Sequence, residues 1–294
     1  MLLALALCVG VATAPAASAT TDHVTSDAPE AWAMFYFTSV TLFSGIGTPH
    51  YRQPGSLELS LELGNIPHLS TAERTVGMGG TKAEDLNNSP VMARPILTLG
   101  LPWSLALSFA YVPPVKVFGV RPNLLALALE RPLFVEGPWT VGARLHGQVG
   151  HTTGSFTCPA SAAKFPPGSD GNPYGCDGTS NDRAIQNYAG LELSNSYRID
   201  ALRGLAPYLI IGANYLDTEF HVHAKVFGTP DNTRLSAAAW TLSLGAGVTY
   251  PLSENASFSL GVFYTPLWVT RPPQTSQERD SLVNARTEFT YRIR

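Results

Sequence analysis

The chain has 294 residues, of which 14% are Asp, Glu, Lys or Arg, and a formal net charge of -3. Charge this sparse and this nearly balanced gives no electrostatic basis for binding nucleic acid. The length suits a single large β domain, since barrels often run past about 200 residues without splitting, and the 26 Gly and 23 Pro supply many turns.

Residues 1–19 form an apolar run ending Ala17-Ser18-Ala19, the pattern of a signal peptide cleaved before Thr20. No Lys or Arg precedes the run, which implies a natural start further upstream. Cys8 follows Leu7 rather than the small residue that lipoprotein processing favours, so it is read as part of the signal. Residues 20–55 are expected to form an N-terminal periplasmic or plug segment. Within it, Ala28 to Thr48 carries Trp32, Phe35, Phe37 and Phe43, too apolar to stand free in water. It is expected to enter the barrel lumen or lie against the inner rim. A membrane helix needs about 18 continuous apolar residues, and the nearest stretch, Ala31 to Phe43, is short and interrupted by Thr38, Ser39 and Thr41.

From residue 56 onward, apolar and polar residues alternate with the period of a β-strand. Leu57, Leu59, Leu61 and Leu63 oppose Glu58, Ser60 and Glu62. Leu105, Leu107, Phe109 and Tyr111 oppose Ser104, Ala106, Ser108 and Ala110. Trp139, Val141, Ala143, Leu145 and Val149 oppose Thr140, Gly142, Arg144, His146 and Gln148. Trp240, Leu242, Leu244, Ala246, Val248 and Tyr250 oppose Thr241, Ser243, Gly245, Gly247 and Thr249. Ten strands are predicted near 56–65, 91–101, 103–112, 121–131, 138–152, 184–198, 206–219, 235–251, 255–266 and 281–293. Short links (about 102, 132–137, 199–205, 252–254) alternate with long ones (66–90, 113–120, 153–183, 220–234, 267–280). Tyr111, Tyr215 and Tyr264 fall near the long-link ends, and Trp103, Trp139, Tyr250 and Tyr291 near the short-link ends, as interfacial aromatics would.

This greasy-face, polar-face repeat resembles that of bacterial outer-membrane β-barrel proteins. At the C-terminus, Phe289, Tyr291 and Ile293 alternate with Thr290 and Arg292, similar to the terminal strand of such barrels, although Ile293 and Arg294 stand where an aromatic residue usually ends the chain. The resemblance implies an all-β fold, a transmembrane antiparallel up-and-down barrel of about ten strands over residues 56–294. It implies residence in the bacterial outer membrane with lipid as a partner, short turns in the periplasm and long loops outside.

Strand parity assigns Glu58, Glu62, Arg144, His146, Glu192, Arg286 and Glu288 to the lumen. Closure brings the first and last strands together, so Arg286 is expected to pair with Glu58 or Glu62; Arg144 and Glu192 lie on hairpin partners. Charges in a narrow interior persist mainly in pairs. His146 is the one lumen-side strand histidine by this parity, yet no GxSxG accompanies it, so no catalytic residue is assigned and the chain is read as not an enzyme. Cys158 and Cys176 are expected to form a disulfide closing about 17 residues and stabilising by roughly 3 kcal/mol in the loop-entropy model. Neither CxxC nor HxxxH spacing is present, and Tyr174 occupies a ligand place in the Asp- and Asn-rich run 168–182, so no metal site and no cofactor are expected.

A ten-stranded barrel is only slightly wider than the eight-stranded size that side chains fill, so a porin-width pore is not expected. Gly190, Gly212, Gly245, Gly247 and Gly261 are expected to leave some room inside. The preferred function is binding or passage of a small or apolar solute, with the N-terminal segment as gate. The alternatives are a structural or surface-interaction barrel acting through loops 66–90 and 153–183, and a barrel hydrolase.

Overall fold

The computed structural model describes residues 20–293, so the signal segment read at 1–19 lies outside the described residues. Ten strands form the wall: β1 Leu57–Asn65, β2 Val91–Gly100, β3 Ala106–Val112, β4 Arg121–Glu136, β5 Trp139–Gly154, β6 Asp182–Tyr197, β7 Ala206–His221, β8 Arg234–Pro251, β9 Ala256–Thr265 and β10 Leu282–Arg292. Each pairs antiparallel with the next, and β10 pairs with β1 from Arg286 opposite Gly64 to Arg292 opposite Glu58, which closes the ring. Closure leaves no wall edge open end to end for another chain to join. No helix among the described residues is long and apolar enough to cross a membrane.

The alternation explains which way the wall faces. Leu59, Leu61 and Leu63 are 48%, 47% and 47% exposed, whereas Glu58 and Glu62 beside them are 2% and 0% exposed. On β8, Trp240, Leu242 and Leu244 point out, while Thr241 and Ser243 are buried. An apolar exterior and a polar interior on every second residue is the arrangement that a bilayer stabilises and water does not.

The β4–β5 link is tighter than expected: both strands run on to a turn at Gly137 and Pro138, where Gly137 takes a positive φ of 56°. β3 starts at Ala106 rather than 103, because Pro102–Ser104 forms a 3-10 turn with Trp103 at a φ of 61°.

Helix α1, Pro29–Val40, sits inside the barrel at the long-loop end. Pro29 in the first turn presets its φ without forfeiting a hydrogen bond. Trp32, Met34, Phe35 and Tyr36 are all buried, so the helix is apolar around its whole circumference, as a helix enclosed on all sides must be. Ahead of it, Thr21–His23 pairs parallel with Arg234–Ser236 at the outer start of β8. Behind it, residues 41–56 descend the lumen, and Gly55 donates to the Gly100 carbonyl at the inner end before β1 begins. The segment thus enters at the outer rim and threads inward through the barrel.

Candidate functional site

The interior has two levels. The lower is a polar collar gripping the descending segment. The Phe43 ring lies between two guanidiniums, Arg94 at 4.6 Å and Arg144 at 4.5 Å from its centre. Arg94, on β2, donates to Glu62 at 2.6 Å and to the carbonyls of Thr41 and Leu42 at 3.0 and 3.2 Å. Arg286, on β10, lies 3.6 Å from Glu62 and donates to the carbonyls of Ser39, Val40 and Leu42. Those carbonyls belong to the end of α1 and the turn after it, where a helix leaves acceptors unpaired and cations are favoured.

Glu58 does not meet Arg286; it pairs with Arg52 at 2.8 Å and with Arg292 at 3.4 Å. Arg144 stands in register with both Glu130 and Glu192, and its ion pair goes to Glu130. Glu192 is taken by the Gly45 amide at 2.9 Å, a partner supplied by the plug and invisible to strand parity. Nδ1 of His146 donates to the Phe43 carbonyl at 2.9 Å, and Nε2 faces the Asn214 amide, also at 2.9 Å. Glu288 accepts from Thr290 at 2.9 Å and lines a polar cavity of about 100 Å³ beneath the collar.

Three further collar residues, Arg52, Arg94 and Glu130, lie outside the predicted lumen set. Arg94 between Ala93 and Pro95, and Glu130 between Leu129 and Arg131, obey the same parity rule and could have been found by it. Arg52 lies before the first strand and had no periodicity to reveal it; it bridges Glu58 and Glu130. The glycine positions do not leave room. A side chain at Gly190 would strike Asn214 and His146, and Gly247 and Gly261 face the Tyr208 hydroxyl. Their small size lets large polar neighbours close in.

The upper level is apolar. A cavity of about 330 Å³ lies between α1 and the outer loops, walled by Ala33, Met34, Phe37, Phe156, Phe220 and Leu235. Phe156 links the aromatic wall, 5.4 Å from Phe37 and 6.0 Å from Phe220. One side carries an ion pair, Lys82 to Glu84 at 3.0 Å, with Lys82 also donating to the Thr157 carbonyl at 2.6 Å. Burial pushes the Glu84 carboxyl up to about 7 against the pull of Lys82. Next to Thr157, Cys158 is disulfide-bonded to Cys176, with 5.6 Å between Cα atoms, and this pins the loop that roofs the cavity.

A closed ring of ten strands, lipid-facing outside and charged within, decides the class. The chain folds as a transmembrane β-barrel of the outer-membrane type. No protein-family model matches it, and no curated protein matches it in sequence. Among solved structures it is similar to the attachment invasion locus protein Ail of Yersinia pestis (TM-score 0.33, 11% identity, covering 82% of this chain and 100% of that one). It is also similar to the outer membrane protease OmpT from Escherichia coli (0.39, 10%, 81% and 92%). A third is the Pseudomonas putida toluene transporter TodX (0.37, 11%, 94% and 78%).

Proposed function

We propose that this outer-membrane barrel takes up a small, uncharged apolar molecule in the cavity above the collar and passes it on, while the N-terminal segment keeps the axial path closed. The observation that carries this reading is the cavity itself: aromatic and aliphatic walls at the outer mouth, directly above a level of desolvated ion pairs. An apolar solute gains by burial in the first and finds no stabilisation in the second.

A molecule the size of one or two aromatic rings hides about 200 Å² there, worth about 5 kcal/mol of transfer free energy. Part of that is lost to ordering, so the affinity is no tighter than roughly 0.1 mM. Weak occupancy suits transit rather than storage. The test is naphthalene binding to the purified barrel in amphipol, compared with Ala33→Trp, which fills the cavity from α1. A saturable component present in the wild type and absent from the variant supports the reading; identical non-saturable partitioning in both would overturn it.

A second reading is favoured by Met78, Phe165 and Phe227, which are 59%, 43% and 60% exposed on the outer loops. Such residues suit a surface that contacts other molecules, and surface attachment lost on replacing all three with Ser would support it.

A further inference from the structure

One wall strand, β3, stops well short of its neighbours. The β2–β3 ladder runs only from Gly100 opposite Ala106 to Ile96 opposite Ala110, and β3 ends at Val112 opposite Leu124 of β4. Beyond that point Val91–Ala93 of β2 and Arg121–Asn123 of β4 have no strand laddered between them. β3 has seven residues where β4 and β5 have 16 each, and a membrane-crossing strand normally needs about nine to eleven.

The sequence encodes this stop with prolines. Pro113 and Pro114 end β3, Pro95 stands on the β2 edge where its ladder to β3 ceases, and Pro122 stands on the β4 edge just past the last β3 pair. Proline has no N–H to donate, so it tolerates an unpaired edge that other residues would leave unsatisfied next to lipid. The loop between β3 and β4 folds back as a tight turn in which Val117 and Val120 exchange backbone hydrogen bonds of 2.9 and 3.1 Å.

A cavity of about 200 Å³ fills the gap. Its lining includes Phe37, Val40 and Gln186 from inside the barrel, and also Val91, Ala93 and Val117 on the outer surface, where Val91 and Val117 are 50% and 47% exposed. The cavity is thus lined by side chains from both faces of the wall. Phe37, Leu86 and Phe156 border this cavity and the outer one alike. Asn65, paired with Val91, and Asn123 with His151, paired to each other, put polar residues on the outward face just beyond the leucines, so the gap lies at the outer edge of the apolar band.

We propose that this notch between β2 and β4 is a side exit through which the apolar solute leaves the outer cavity for the membrane, without crossing the polar collar. The inference rests on the binding reading above and adds the route. Passage past Phe37 and Phe156 runs mainly along apolar side chains and meets no charged residue in the notch, whereas the axial route runs through Arg94, Arg144 and Glu62.

The test uses cells with intact outer membranes producing the full-length protein, with radiolabelled naphthalene as the probe. Val112→Trp fills the notch from the end of β3, and Val117→Trp fills it from the loop, where folding is least at risk; heat-modifiable mobility checks that both barrels assemble. Initial uptake is expected to fall at least fivefold in both variants while naphthalene binding by the purified proteins stays at the wild-type level. Normal binding with unchanged uptake overturns the side exit alone, as does wild-type uptake no faster than in cells lacking the protein. A wild type that binds no naphthalene overturns the binding reading and the exit with it.

Discussion

The guanidinium of Arg144 lies 4.5 Å from the centre of the Phe43 ring and donates to the Phe43 carbonyl at 3.3 Å, so one wall residue holds one plug residue by ring and backbone together. Arg94 covers the ring as well. A desolvated contact of this kind is worth up to about 2 kcal/mol, and truncating a buried Phe costs about 3–5 kcal/mol in all.

Phe43→Ala is therefore expected to loosen residues 41–48 while the wall stays folded, since the ladders from β1 to β10 do not use that side chain. Planar-bilayer recordings should show higher ion conductance than the wild type, and hydrogen exchange should speed up at Leu42 to Gly47. Unchanged conductance with unchanged exchange would show that the plug is held elsewhere.

Leu244 faces lipid near the middle of β8, and Leu244→Arg is expected to cost about 2–4 kcal/mol in vesicle refolding. Its neighbour Ser243 faces inward but is 2% exposed and accepts from Asn214 at 3.1 Å, so Ser243→Arg also destabilises, by overpacking, about 1–3 kcal/mol. Ser257 is half-buried and lines the polar cavity below the collar; Ser257→Arg should be the mildest of the three. The opposite order would contradict the assignment of faces.

Reduction of the Cys158–Cys176 bridge frees a loop of the outer surface and no part of the wall ladders. Limited proteolysis should then cut within 159–175 after reductant and not before, at unchanged heat-modifiable mobility, with a local loss of roughly 3 kcal/mol. Cleavage at equal rates in both states would count against a structural role for the bridge.

Glu84 gives the outer loops a pH dependence. Its carboxyl is raised by burial from an ordinary value near 4.5 to about 7, so the folded loop holds a proton that the unfolded loop releases. Its contribution to stability is complete below about pH 4.5 and is lost as pH rises to about 7. Hydrogen-exchange protection at residues 82–86 should decline across that window, and Glu84→Gln should flatten the decline. Protection that instead grows with pH would reverse the sign of this account.

Much of the wall was legible because lipid and lumen impose opposite chemistry on alternate residues: Leu59 against Glu58, Leu244 against Ser243. The strand count and the first-to-last closure followed from that parity and from link lengths. The plug's direction was not legible, because an all-round apolar stretch such as Trp32 to Tyr36 seeks burial without stating which rim it enters from. The pairing of Arg144 with Glu130 rather than Glu192 depended on the Gly45 amide, which only the threaded segment supplies. The prolines at 95, 113, 114 and 122 were visible in the sequence, but that they frame one gap is a matter of register across three strands.

Crystals of the barrel soaked with 1-bromonaphthalene would reveal an apolar solute between α1 and the outer loops. An anomalous bromine peak is expected among Met34, Phe156 and Leu235, and it should disappear in Ala33→Trp. Bromine found only on the lipid-facing belt, with the cavity empty, would contradict the proposed binding.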